Sequence, residues 1–122
     1  MWEQFDVASA RVKASVTKVT NQLDVVVQTL EDSLAALDAL VAAELADRPA
    51  LAVKYDAALV KERAAKELFA DLVGQYRLDW TEMVRLEKLI HQFDPTANVN
   101  YPAPLAPAIN SLVLGCGDPG TL

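Results

Sequence analysis

The residues with the clearest capacity for chemistry lie near the end of the predicted helical region. His91 is the only histidine, Glu87 precedes it by one helical turn, and Asp94 follows it closely. An imidazole and two carboxylates at this spacing could ligate a metal ion. A histidine in the last turn of a helix also interacts favourably with the helix dipole, and this structural role explains His91 more simply. We therefore predict no metal site and no cofactor.

Nucleophilic catalysis would need a general base beside a serine, threonine or cysteine. Cys116 is the only cysteine and His91 is the only imidazole that could activate it, but no motif supports this pair. None of the glycines is followed by the Lys-Ser or Lys-Thr of a phosphate-binding loop. A helical enzyme that acts on an anionic substrate would need several Arg or Lys side chains around one pocket. The sequence thus indicates a protein that is not an enzyme.

The chain is acidic, since its 122 residues carry a net charge of −6 and its pI is about 4.6. Affinity for nucleic acid comes mainly from clustered Lys and Arg, so we predict no nucleic-acid partner. The acids are unevenly spread. Residues 31–48 hold Glu31, Asp32, Asp38, Glu44 and Asp47 against one arginine.

Cysteine content and hydropathy bear on where the protein is found. A single cysteine excludes an intrachain disulfide, and a reducing compartment is the simpler assumption. No run approaches the roughly 18 apolar residues of a membrane span, and no basic region followed by an apolar stretch opens the sequence. We expect a soluble cytoplasmic protein, or one within a virion assembled in the cytoplasm, with no membrane span.

A heptad pattern of apolar residues predicts one long helix at the start of the chain. No Pro or Gly occurs before Pro49, so the predicted helix covers about residues 3–47. β-branched residues are dense between Val16 and Thr29, but strict alternation fails there and the 3-4 spacing persists. Position a is occupied by Phe5, Val12, Val19, Val26, Ser33 and Leu40, and position d by Trp2, Ser9, Val16, Leu23, Leu30, Leu37 and Glu44.

The apolar heptad pattern of the predicted first helix widens toward the end of that helix. A second apolar row, Leu34, Val41 and Leu45, runs beside its later part. Residues 5–30 are the better candidate for a seam between chains, and the part nearer to Pro49 is expected to pack on this chain's own second helix. Val at position a with Leu at position d permits a parallel dimer, while a trimer and an antiparallel intrachain seam stay open.

The second half of the chain predicts one or two further helices. Pro49 is acceptable in the first turn of a helix that continues to about Tyr76. Gly74 weakens this helix, and Asp79 with Glu82 three residues later has the form of a capping box. A third helix over about residues 80–93 is therefore either separate or a kinked continuation. The predicted fold is all-α, a long, coiled-coil-like helical hairpin of two or three helices that forms a domain over residues 1–93.

A Pro-rich arm is predicted for residues 94–122. Asp94-Pro95 ends the helix, and closely spaced prolines follow, which favours extended or polyproline-like backbone. The apolar side chains of the arm cost free energy if they are left in water. We therefore expect the arm to dock on the same or a neighbouring subunit. Whether residues 108–114 form a strand or a helical turn stays open.

These patterns favour a non-enzymatic structural or assembly subunit. It would form a homo-oligomer through the heptad-patterned helix and the arm, contact other subunits of a larger assembly, and suit a phage-type virion. The alternative is a helical adaptor or chaperone that binds a partner helix or a basic ligand. The residues predicted to make these contacts are Trp2, Phe5, Val12, Val16, Val19, Leu23, Val26, Leu30, Tyr101, Leu105, Ile109, Leu112 and Leu114.

Overall fold

A computed structural model of the chain describes residues 2–107 and residue 109. It contains two long helices, α1 (Trp2–Ala42, 41 residues) and α2 (Arg48–Phe93, 46 residues), and the described residues include no strand. The predicted all-α helical hairpin is confirmed. The hairpin has two helices, because α2 is continuous through residues 80–93, where a separate third helix was one of the two alternatives.

The first helix ends about five residues earlier than the sequence predicts. After Ala42 the backbone N–H of Ala43 donates to Leu40 O (3.3 Å), and the N–H of Asp47 donates to Glu44 O (3.0 Å). These bonds span three residues, as in tight turns, and they replace the four-residue bonds of the helix. Neither Pro nor Gly is needed to end α1, so the sequence carries no strong stop signal at this point.

The second helix begins where the sequence predicts it. The carbonyl of Asp47 accepts the first helical bond, from the N–H of Leu51 (3.2 Å), and Pro49 lies in the first turn. Proline is tolerated there because the N–H groups of a first turn have no partner within the helix. The Nε–H of Arg48 donates to Ala43 O (3.4 Å), which satisfies a carbonyl just after the end of α1.

The suspected break near Gly74 does not occur. Gly74 lies inside α2, and Asp79, which the sequence suggested as a cap, accepts a hydrogen bond from Gln75 Nε2 (3.0 Å) one turn earlier. A single glycine in a helix interior costs about 1 kcal/mol relative to alanine. Tertiary packing along a helix of this length outweighs such a cost, since burial of an apolar face supplies most helical stability in proteins.

Two compact units can be distinguished in the chain, and each contains part of both helices. Unit 1 comprises Met1–Val19 with Ala70–Leu122, and unit 2 comprises Thr20–Phe69. In unit 1 the buried apolar side chains of the two helices recur at helical spacing. They are Phe5, Ala8, Val12, Val19, Val73, Tyr76, Met83, Leu86 and Ile90, and the segment after α2 adds Pro102 and Leu105.

Unit 2 has a much thinner core. Its buried apolar side chains are Val26, Ala65 and Phe69, and Ser33 is buried beside them. Polar contacts join its two helical segments: Gln22 Nε2 donates to Ala65 O (3.0 Å), and Ser33 Oγ lies 3.2 Å from Glu62 Oε1. Apolar residues that this core leaves uncovered therefore stay on the surface of unit 2.

The hydropathy of the two helices determines whether either could span a membrane. Within the described part of the chain, neither α1 nor α2 contains a stretch that is long and apolar enough to cross a bilayer. The predicted absence of a membrane span holds for those residues.

Replacing Gly74 with alanine should stabilise the protein. A Cβ added at Gly74 would meet no atom within 4 Å, so the substitution introduces no clash. We expect the free energy of unfolding to rise by about 0.5–1 kcal/mol, because alanine loses less backbone entropy in a helix. Urea unfolding followed by circular dichroism measures the change. Ala70→Gly, on the exposed side of the same helix, should lose a similar amount, and a destabilised Gly74→Ala protein would contradict a continuous α2.

Candidate interaction surfaces

His91 is held by structural contacts. Its Nε2 lies 3.0 Å from Ala97 O and donates to that carbonyl, while its Nδ1 lies 3.4 Å from Glu87 Oε1. Asp94 instead accepts hydrogen bonds from the backbone N–H and the hydroxyl of Thr96 (3.2 and 2.8 Å). Among the described residues no three His, Cys, Asp or Glu side chains come close enough to hold a metal ion. His91 thus fastens the start of the segment that follows α2.

The other reactive group considered from the sequence was the thiol of Cys116. Cys116 lies outside the described residues, so the structure gives no distance between this thiol and His91. The pairing of Cys116 with His91 stays untested.

A shallow cavity of about 430 Å³ lies on the surface of unit 1. Arg11, Glu82 and Arg85 contribute charges to its wall, and no residue that lines it carries an imidazole, thiol or hydroxyl group. Arg85 donates to both carboxylate oxygens of Glu82 (2.9 and 2.6 Å). This hydrogen-bonded pair lowers the pKa of Glu82 and raises the pKa of Arg85. The wall of the cavity therefore holds this ion pair together with the further charges of Glu3 and Arg11.

An aromatic cluster in unit 1 holds the segment that follows α2. The ring of Tyr101 lies 5.5 Å from that of Trp80 and 6.4 Å from that of Phe5. Trp80 also packs against Tyr76 (6.1 Å), and Trp2 meets Phe5 edge-on (6.4 Å, 79°). Tilted and edge-on ring pairs at these distances are the favourable geometries for aromatic side chains. The sequence predicted interaction roles for Trp2, Phe5 and Tyr101, and the structure brings these three rings together within the chain.

Leu105 fixes the same segment through its backbone. Its N–H donates to the hydroxyl of Tyr76 (3.0 Å), and the Leu105 side chain is buried, as is Pro102. The described part of the predicted arm therefore docks on unit 1 of its own chain. Ile109 is half-buried, and Leu112 and Leu114 lie outside the described residues.

The heptad ladder of α1 is largely covered within the chain. Its a positions Val12 and Val19 are fully buried, and Phe5 and Val26 are nearly so. The d positions Val16 and Leu23 are half-buried, while Trp2 and Leu30 are exposed. For the buried residues, the structure shows an intrachain contact, which is one of the alternatives that the sequence left open. The physical reason is the unbroken α2, whose own buried positions extend through Ile90 and cover the early part of the ladder.

A buried polar contact lies within the seam of unit 1. Ser15 is only 7% exposed, and its hydroxyl donates to Asp79 Oδ2 (2.5 Å). The sequence suggested Asp79 as a helix cap and did not single out Ser15. Ser15 lies three residues after the buried Val12, a position from which a side chain on the same helix face can reach α2.

Unit 2 exposes a row of apolar side chains on α1. An α1 outer row, which we define as Val27, Leu30, Leu34, Leu37 and Val41, repeats at a 3-4 spacing. Leu34 is 60% exposed and Val41 is 72% exposed. Val27 and Leu34 each directly follow a buried residue of position a, Val26 or Ser33, so these two lie about 100° around the helix from the buried residues, whereas Leu30 and Leu37 lie closer to them.

A second row lies on α2 in the same unit. The α2 outer row, which we define as Val53, Ala57, Val60, Ala64 and Leu68, also follows a 3-4 spacing apart from its last step. Val60 is 63% exposed and Phe69, nine residues later, is buried. Nine residues are two and a half helical turns, so the outer row points away from the core of unit 2. The seven-residue separation of Val53 and Val60 is visible in the sequence and was not recognised as a surface.

No family model, no curated protein and no solved structure matches this chain.

Removing the hydroxyl of Tyr76 should loosen the segment that follows α2. In Tyr76→Phe the buried N–H of Leu105 loses its acceptor, which costs about 1–3 kcal/mol. We expect faster amide hydrogen exchange across residues 97–107, measured by mass spectrometry, with the helices still protected. Tyr55→Phe removes the same atom from unit 2 and should leave this exchange unchanged. Equal exchange in the Tyr76→Phe and native proteins would show that the hydrogen bond does not hold the segment.

Proposed function

We propose that this protein is a non-enzymatic assembly subunit that associates with copies of itself. The observation that carries the proposal is the pair of exposed apolar rows on unit 2. Single exposed apolar residues are normal on protein surfaces. Two rows at helical spacing on a unit with so small a core are more than scattered exposure, and continuous apolar surface of this kind is typical of interaction sites.

The physical basis is the shortage of apolar cover in a hairpin of two helices. Each helix in unit 2 buries one stripe on the other and leaves a second stripe in water. Burial of apolar surface is worth about 25 cal/mol per Å², so covering exposed side chains such as Leu34, Val41 and Val60 on association is favourable. Further helices from neighbouring copies are the simplest cover, because they present stripes with the same spacing.

The proposed contacts differ in place from those expected at first. Buried ladder residues such as Val12 and Val19 would stabilise the subunit, while the outer rows of unit 2 would join subunits. Leu112 and Leu114 keep their proposed role as arm residues that reach a neighbour. By architectural analogy alone, we propose a multi-copy assembly such as a phage-type virion as the setting. Further kinds of subunit in that assembly would also be partners.

The non-enzymatic part of the proposal is supported by the occupation of the candidate groups. Both ring nitrogens of His91 are engaged with Ala97 and Glu87, and Asp94 is engaged with Thr96. A side chain held in this way is suited to fixing a chain segment. The proposal therefore assigns His91 to structure.

A second candidate function is favoured by one observation, the exposed acids along α1 in unit 2. Asp24, Glu31 and Asp38 are exposed at seven-residue intervals beside the α1 outer row. An adaptor or chaperone could use such a surface to receive an amphipathic helix with basic flanks. Its complex with a basic helix would weaken markedly with added salt, whereas a mainly apolar self-association would weaken less.

Self-association should depend on the exposed residues of the α1 outer row. We expect light scattering after size exclusion to show a native mass above that of one chain at micromolar concentration. The double variant Leu34→Gln with Val41→Gln should shift the protein toward the monomer, because it removes apolar surface that association would bury. Leu78→Gln changes a residue that is 66% exposed on unit 1 and serves as the matched control.

The outcomes are distinct for the native chain and for the variants. A native chain that stays monomeric across the micromolar range would overturn the proposed function. Equal loss of association in the control and in the double variant would show that the α1 outer row is not the surface involved. Circular dichroism verifies that each variant keeps its helical content.

A further inference from the structure

The α1 outer row has an acidic edge. Asp24, Glu31 and Asp38 each stand one residue after a position d of the heptad, and they form a line along the helix. All three are exposed, and within the described part of the chain their side chains make no hydrogen bond or ion pair. Unpaired carboxylates in line beside an apolar row occupy the flanking e positions that set partner choice in helix pairs.

The α2 outer row has a basic edge at the same interval. Lys54 directly follows Val53, and Lys61 directly follows Val60, so the two lysines are also seven residues apart. Both are exposed, and neither forms an ion pair with a described residue. They line one side of a shallow groove of about 260 Å³ in unit 2, whose other side is formed by Thr29 and Asp32 of α1. The α1 outer row is therefore flanked by negative charges, and the α2 outer row is flanked by positive charges.

We propose that the α1 outer row of one copy packs antiparallel on the α2 outer row of a second copy. This inference rests on the proposed self-association and assigns its surfaces. The two rows match in length, because the 14 steps from Val27 to Val41 and the 15 steps from Val53 to Leu68, at 1.5 Å each, extend about 21 and about 22.5 Å. In an antiparallel pair of helices the e positions lie opposite e positions, so acids and lysines meet.

One register satisfies both the apolar and the charged residues. When Leu34 lies opposite Val60 in the antiparallel pair, Leu30 lies opposite Ala64 and Leu37 lies opposite Ala57. Leucine then faces alanine, which lets the two helices approach closely. Val41 comes opposite Val53 at one end of the same contact.

The same register also brings residues of opposite charge close together. Glu31 comes within two residues of the level of Lys61, and Asp38 within two residues of the level of Lys54. Both pairs join opposite signs across the edge of the apolar contact. A parallel arrangement would instead bring the lysines beside the other edge of the α1 outer row, which is formed by Val26 and Ser33, and its own unit already buries both of these residues. Charge complementarity thus favours a second copy of this chain, in the antiparallel direction.

The contact is heterologous, because each copy contributes a different row to each of its two neighbours. Interfaces of this type generate rings when the rotation closes and filaments when it does not. Repetition of the contact would give an assembly of more than two copies.

Charge exchange tests the pairing directly. The acid-row variant, Glu31→Lys with Asp38→Lys, and the lysine-row variant, Lys54→Glu with Lys61→Glu, should each associate roughly tenfold more weakly than the native chain. An equimolar mixture should recover association, because the new lysines of one variant face the new glutamates of the other. A chain that carries all four substitutions should recover it as well. Analytical ultracentrifugation at low ionic strength measures these affinities.

Matched controls separate pairing from net charge. Glu44→Lys with Asp47→Lys changes the net charge as the acid-row variant does, but at the exposed turn, and should leave association unchanged. Lys13→Glu with Lys18→Glu, at exposed residues of unit 1, lowers the net charge as much as the lysine-row variant does. This control should also leave association unchanged. All of these positions are exposed, so circular dichroism should report native helix content in each protein.

Each result bears on one of the two proposals. If the native chain associates and the acid-row and lysine-row variants associate equally well, the assigned surfaces are wrong and the proposed function stands. If each variant loses association but the mixture does not recover it, the acid row meets a surface other than α2 of a second copy, and the pairing is overturned. A monomeric native chain would overturn the proposed function itself.

Discussion

The packing of the a positions of α1 against α2 is the contact on which the rest of the structure depends. These side chains are buried in unit 1 at Phe5, Val12 and Val19 and in unit 2 at Val26. Full burial of such a side chain stabilises by about 1.5–3 kcal/mol, far more than an exposed ion pair. Isolated helices gain little stability from propensity alone, so both long helices require this contact. It also decides which residues stay available for other partners.

The two units use the contact differently. Unit 1 adds to it a core on α2 that includes the fully buried Met83 and Ile90, together with Leu105 and Tyr101 of the segment after α2. Unit 2 has a smaller core and keeps apolar rows exposed on both helices. In our proposal, unit 1 stabilises the subunit and unit 2 joins it to others. Surplus apolar surface is then a functional property rather than a deficit of the fold.

Much of the fold was predictable because its causes are local. The 3-4 spacing, the lack of Pro and Gly before Pro49, and the position of Pro49 in a first turn are all visible in neighbouring residues. The continuity of α2 through Gly74 was not predictable, because a weak local signal competes there with packing against residues far away in the chain. The early end of α1 was missed because short-range turn bonds can replace helical bonds without any breaker residue. Of the candidate contact residues, the sequence identified the apolar ones and could not tell which would be covered.

The sequence by itself determined that there are helices, that α1 carries two neighbouring apolar stripes, and that acids and lysines stand beside apolar residues at seven-residue intervals. Only the tertiary structure decided which stripe is buried and which is exposed. Helical periodicity follows from the geometry of one helix, whereas the choice of stripe depends on the sum of contacts with α2, whose residues lie tens of positions away. In our proposal, the residues that this choice leaves exposed, the outer rows of unit 2, make the contacts between chains.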